Sequence, residues 1–193
     1  VVFGWFVFSL TLSSLFLFPL IATGFALFVA LLIGIAWKFL RAAPVDIRLA
    51  FVVALLYAIC IGLITEPTLF SGRDQGSIAE AAYRLAHNTE LAFSTPGSDS
   101  FFQIYGVGTA LNFPGFAYTK EGYLLTQFPL GYTAWLGSFV SLFDTHGFAI
   151  GNSLLFFLFL FFLYQLLRLF VHPYYAGAGF LLAITSFLPS WFA

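Results

Sequence analysis

The feature that most limits what this chain can become is a set of long runs containing no Asp, Glu, Lys or Arg. Five are present: Val1 to Trp37, Leu49 to Thr65, Gly122 to Phe143, Gly147 to Leu167, and Leu169 to Ala193, the last interrupted only by His172. A bilayer core about 30 Å thick takes roughly 20 apolar residues per helix, so four of these runs have the length of one crossing. The first is too long for one. At about 1.5 Å per residue a single helix would overshoot the membrane, and Pro19 near its middle points to a hairpin of two crossings. The expected fold is therefore all-α, a polytopic membrane helix bundle of about six membrane segments.

Composition agrees. Of the 193 residues, 61% are hydrophobic and 8% are charged, against roughly 25% charged in soluble domains, so water is not the main solvent. The first apolar run continues too long for a cleaved signal peptide. The chain starts inside one apolar run and stops after another, and it reads as a stretch of a longer protein. No basic stripe tracks a phosphate backbone, so nucleic acid is not an expected partner. Cys60, alone in an apolar run, reads as a small buried hydrophobe.

Charge distribution divides the chain. Lys38, Arg41 and Arg48 face only Asp46 between the first two runs, which by the positive-inside rule makes residues 38–48 a cytoplasmic connector. Residues 1–37 form an N-terminal hydrophobic hairpin, and residues 49–193 form the main membrane domain. The stretch 66–121 holds six acids (Glu66, Asp74, Glu80, Glu90, Asp99, Glu121) and three bases (Arg73, Arg84, Lys120), and is expected outside. Counting one crossing per run then puts Arg168 and His172 outside as well, against the charge rule.

A connection this long is functional or disordered, and its composition is not that of disorder. Ser77 to Glu80 fits a Ser-x-x-Glu capping box. Ile78, Ala82 and Leu85 follow at helical spacing, which predicts a short amphipathic helix lying on the membrane surface. Residues 94–98, Ser-Thr-Pro-Gly-Ser, read as a turn. Phe101, Phe102, Tyr105, Phe113, Phe116, Tyr118 and Tyr123 form either an interfacial aromatic belt or a sugar-binding surface.

The densest polar cluster is residues 72–77, Gly-Arg-Asp-Gln-Gly-Ser. An acid beside an apolar wall can have a raised pKa and act as a general base toward a hydroxyl; alternatively Asp74 only caps the helix that follows. His87, His146 and His172 lie on separate segments without metal-ligand spacing, and no metal is expected.

Three segments in order carry a family resemblance: GRDQGSIAEAAYRLAHN (72–88), YLLTQFPLGYTAWLGSFVSLF (123–143), and the pair FLYQLLRLF and LLAITSFLPSWFA. In these the chain resembles the GT-C superfamily of lipid-linked glycosyltransferases, particularly bacterial relatives of protein O-mannosyltransferases and aminoarabinose transferases. The resemblance covers residues 49–193. It implies transfer of a hexosyl or pentosyl group from a polyprenyl-phosphate donor to a glycan, lipid or protein acceptor, on the external face of a bacterial plasma membrane. No cofactor is implied beyond the lipid-linked sugar, and membrane lipids are the other partners. Asp74 matches the family's catalytic base. Gln127 stands where the family has Lys or His in a Pro-Pro-Leu motif, and Phe128 replaces the first Pro. Arg73, Gln75, Arg84, Lys120, Tyr123 and Gln127 are the implied substrate-binding residues, with Arg73, Arg84 or Lys120 supplying the charge that Gln127 lacks. A transporter is the main alternative, but transporters place ionisable residues within their spans, and these runs have none. A noncatalytic membrane assembly protein is the third reading.

Overall fold

A computed structural model describes residues 2–65 and 74–186. Helix dominates: α1 (Val2–Leu12), α2 (Phe18–Ala42), α3 (Val45–Ile64), α4 (Asp74–Asn88), α5 (Pro96–Tyr105), α6 (Leu130–Phe143), α7 (His146–Phe170) and α8 (Pro173–Thr185). Between α5 and α6 lie three short strands, β1 (Gly108–Thr109), β2 (Phe116–Tyr118) and β3 (Leu124–Thr126).

Among the described residues three helices, α2, α3 and α7, are long and apolar enough to cross a membrane. With 25, 20 and 25 residues they span about 37, 30 and 37 Å. The 11 residues of α1 and the 14 of α6 reach only about 16 and 21 Å, so the count of six segments is not matched by six helices of crossing length. The break in the first apolar run comes at residues 13–17, where Ser14 takes a positive φ of 53°. Pro19 does not cause it. It lies in the first turn of α2, where its missing N–H costs no hydrogen bond. The basic connector is also shorter than its charges imply: α2 runs through Arg41 and α3 starts at Val45, leaving Ala43 and Pro44 as the corner. Arg41 then sits in the last turn of α2 and Asp46 in the first turn of α3, each favourable to its helix dipole.

The chain forms two compact units. One comprises Val29–Glu66 and Ala149–Ala193. Its organising feature is a row of small residues on α3, Ala50, Ala54 and Ala58, continued by Gly62. The alanines are buried against Phe156, Phe157, Leu160 and Tyr164 of α7 and Ala176, Phe180 and Ile184 of α8. Small side chains at every fourth position let membrane helices approach closely. Gly62 lies against Ser153, with no space for a β-carbon between them. Some four turns earlier on α3, the Asp46 carboxylate accepts from Arg168 Nε at 2.7 Å and from the Tyr164 hydroxyl at 2.9 Å. Early α3 thus meets late α7, and late α3 meets early α7, so the two helices are antiparallel. Arg168 is beside Asp46, not at the opposite end as one crossing per apolar run requires. The other faces stay open: Leu63 and Ile64 on α3, and Leu169 and Phe170 on α7, are at least 75% exposed. Cys60 is on this open side too, correcting its reading as buried.

The second unit comprises Val1–Phe28 and Pro67–Phe148. At its centre is α6, whose residues Thr133 to Val140 are all buried. Phe3 of α1 packs its ring on Trp135 and Phe139, Phe25 packs on Phe139 and Phe143, and α4 covers a further face. Gly137 permits this last contact, since a β-carbon there would come within 3.1 Å of the Ala82 carbonyl oxygen.

Replacing Ala54 by Leu inserts three carbons into the core that α3 shares with α7 and α8. Overpacking of this kind costs about 1–3 kcal/mol, so Ala54→Leu lowers the thermal midpoint of detergent-solubilised protein, whereas Leu56→Ala on the open face leaves it nearly unchanged.

Candidate functional site

The polar stretch is folded, and more completely than a single surface helix. Helix α4 starts at Asp74, three residues before Ser77, so Ser77 is inside the helix and does not cap it. Its buried hydroxyl instead donates to the Pro114 carbonyl at 2.5 Å. Ala81, Ala82 and Leu85 are buried, and the face they form is occupied by α6 and by Phe93, Phe116 and Leu124. The apolar face expected to lie on lipid is therefore covered by protein.

Residues 94–98 are not a free turn. Thr95 caps α5: its hydroxyl accepts from Ser98 N, and the Ser98 hydroxyl accepts from Thr95 N at 2.8 Å. Strands β1, β2 and β3 form an antiparallel sheet in that order, with Phe116 opposite Thr126 and Tyr118 opposite Leu124. The period of two puts Phe116, Tyr118, Leu124 and Thr126 inward. Phe116 and Tyr118 are therefore core residues, not members of an interfacial belt; Tyr105 and Tyr123 remain exposed. The Tyr118 hydroxyl donates to the Ser98 carbonyl at 3.0 Å. Burial, and then the negative charge of Asp99, raise its pKa above the ordinary phenol value.

The candidate residues separate into three places. Asp74 and Gln75 are exposed in the first turn of α4, with the Asp74 carboxylate near the positive end of the helix dipole. Gln127 follows β3, and its side-chain Nε2 donates to the Phe116 carbonyl at 2.8 Å while its backbone N–H donates to Gly115 at 2.9 Å. The turn at residues 114–116 therefore holds both the first turns of α4, through Ser77, and Gln127. Gly115 makes this join possible. It has φ 83°, and a β-carbon would lie 2.6 Å from both Ser77 and Phe128. Gln127 does not itself open the next helix, because Pro129 is the N-cap of α6.

Lys120 and Tyr123 are elsewhere, at the exposed β2–β3 hairpin, which closes through Thr119 N–H donating to the Tyr123 carbonyl at 2.8 Å. Arg84 is engaged locally. Its Nε and Nη2 donate to Glu80 Oε1 at 2.9 and 2.7 Å, and its guanidinium lies 3.8 Å over the Phe93 ring. Neutralised by Glu80 and stacked on an aromatic face, it has little charge left for a phosphate. The Glu80/Arg84 spacing of four was visible in sequence; the Phe93 platform was not. Arg73 lies outside the described residues. A hollow on the outer face of α7, lined by Phe159, Phe162, Leu163, Gln165, Leu166 and Leu169, contains none of these side chains. Among the described residues no three His, Cys, Asp or Glu side chains gather as metal ligands do.

Gly115→Ala forces a positive φ on a residue with a β-carbon and a clash with Ser77 and Phe128. It is expected to destabilise this unit by about 1–3 kcal/mol, read as faster proteolysis within residues 89–129, while Gly131→Ala, with open space around it, has no such effect. Compared with protein-family models, with characterised proteins and with solved structures, the chain matches none.

Proposed function

We propose that this chain belongs to a GT-C-type glycosyltransferase that moves a sugar from a polyprenyl-phosphate donor to a hydroxyl acceptor on the external face of a bacterial plasma membrane. The observation that carries the reading is the folded polar unit that presents Asp74 exposed on the first turn of a rigidly packed helix. That helix is tied through Ser77 to the same turn that binds Gln127. The order of the three resembling segments supports it, as does the presence of helices long enough for a bilayer. A carrier with its tail in lipid and its phosphate at the interface calls for both parts.

In this reaction the acceptor oxygen attacks the anomeric carbon, forming the new glycosidic bond. The bond from that carbon to the phosphate oxygen breaks, and its electron pair leaves with the polyprenyl phosphate. Asp74 takes the acceptor proton, as its exposed position on the first turn of α4 allows. The departing phosphate gains charge and needs a cation. With Arg84 paired to Glu80 and Lys120 at the far end of the β2–β3 hairpin from Gln127, that role falls to Arg73, which precedes Asp74 in the sequence. Gln127 has its Nε2 committed to the Phe116 carbonyl, which leaves its side-chain oxygen to accept from a sugar hydroxyl.

Sugar transfer by the full-length protein from a polyprenyl-phosphate sugar tests the assignment. Asp74→Asn keeps the size and the favourable helix start but removes the base, and activity is expected to fall by about 10²- to 10⁴-fold with membrane insertion unchanged. Near-normal turnover by this variant rules Asp74 out as the base. Arg73→Gln is expected to lower kcat/KM about tenfold or more through loss of a charge-assisted contact, and Lys120→Gln and Arg84→Gln much less.

A further inference from the structure

We infer that α6 does not cross the membrane, and that everything between the end of α3 and the start of α7 stays on one face of the bilayer. Contacts inside a single unit fix the parity of the crossings. Gly62, near the end of α3, lies against Ser153, near the start of α7, and Asp46, at the start of α3, pairs with Arg168, near the end of α7. If α3 and α7 both span, the chain leaves the bilayer at the end of α3 and re-enters it at the same face. The intervening chain therefore makes an even number of crossings. Residues 66–73 are only eight and include Glu66 and Arg73. Helix α4 carries Asp74, Glu80 and Arg84, and α5 has ten residues. Among the described residues the sole apolar helix between is α6, and one helix cannot supply two crossings. The even number is zero.

Two independent properties of α6 agree. Its 14 residues reach about 21 Å, short of a core about 30 Å thick. It is also sheathed by protein, since eight consecutive residues, Thr133 to Val140, are buried and α1 and α4 of its own unit pack on it. A helix apolar all round is satisfied by a protein core as well as by lipid. Its hydrophobicity thus serves the packing of α4 and α1 on it, not a passage through the bilayer.

The same geometry resolves the charge pattern. Lys38, Arg41, Arg48 and Arg168 gather at one end of their unit, with Asp46 their only acid there. Four bases in place of three make that end cytoplasmic by the positive-inside rule. The polar stretch and the corner at Asp144 to His146 then share the external face, so the α6–α7 corner joins the surface accessible to an external substrate.

The test uses the full-length protein with Cys60→Ser and one new cysteine at a time, labelled in intact cells by a membrane-impermeant maleimide. Asp99→Cys and His146→Cys are expected to label alike, and Lys38→Cys oppositely. Labelling of Asp99→Cys and His146→Cys from opposite faces overturns the inference. If both are shielded and Lys38→Cys is labelled, α6 still fails to cross, but the external orientation of the proposed transferase is lost; the two readings therefore fail separately. A second measurement guards against a poorly reactive corner. Gly62→Cys/Ser153→Cys, where a β-carbon at position 62 would lie 3.3 Å from that of Ser153, should form a disulfide in membranes on mild oxidation, and Asp46→Cys/Ser153→Cys should not. The reverse result makes α3 and α7 parallel and sinks the parity argument.

Discussion

The packing of α3 on α7 and α8 along Ala50, Ala54, Ala58 and Gly62 is the contact on which the membrane architecture depends. Between helices in lipid there is no hydrophobic drive toward association, because acyl chains are as apolar as leucine, and the attraction must come from dispersion at short range and from hydrogen bonds. A row of alanines supplies the short range, and the aromatic rings of Phe156 and Phe157 fill the space their small size leaves. The hydrogen-bonded trio of Asp46, Tyr164 and Arg168 has a different role. Both charged side chains are about a quarter exposed, and a pair at a rim contributes at most about 1 kcal/mol. Its effect is on direction: a parallel α7 would leave the Asp46 carboxylate without the two donors it now has.

In the other unit the corresponding constraint is burial of polar backbone. A stretch with this many turns carries many N–H and C=O groups, and those that become buried need partners. The three-stranded sheet, the Thr95–Ser98 cap and the Ser77–Pro114 bond meet this need. Together they convert a long connection into a small packed body around α6. That packing holds the first turns of α4 at a defined distance from Gln127. It also decides which bases stay in solvent, since Arg84 is drawn onto Glu80 and Phe93 while Lys120 is exposed.

Several of these features follow from residue patterns within one helix turn or one hairpin, and several do not. The charge-free runs, the helical character of residues 74–88 and the i,i+4 pairing of Glu80 with Arg84 are local, because chain geometry alone brings such residues together. The corner of the first hairpin differs from the sequence expectation for a local reason as well: proline is tolerated in a helix's first turn, so Pro19 marks a beginning and not an interruption. Likewise Ser77 had the spacing of a capping box but lay a turn too late, and its hydroxyl was taken by a carbonyl 37 residues away.

What the sequence determined by itself is the solvent and the class. A chain with 8% charged residues and five uncharged runs of roughly crossing length or more fits helices that meet lipid, because within a bilayer each peptide group must find its hydrogen bond inside the chain, and a helix provides it within one run. Which apolar helix crosses and which is wrapped in protein was decided only by the tertiary structure. Hydrophobicity measures the cost of leaving α6 in water, and that cost is removed equally by acyl chains or by Phe3, Phe25, Ala82 and Leu85. The direction of α7, and with it the face on which the Asp144 to His146 corner emerges, depends on Arg168 meeting Asp46 across 122 residues, a pairing that no periodicity within either helix encodes.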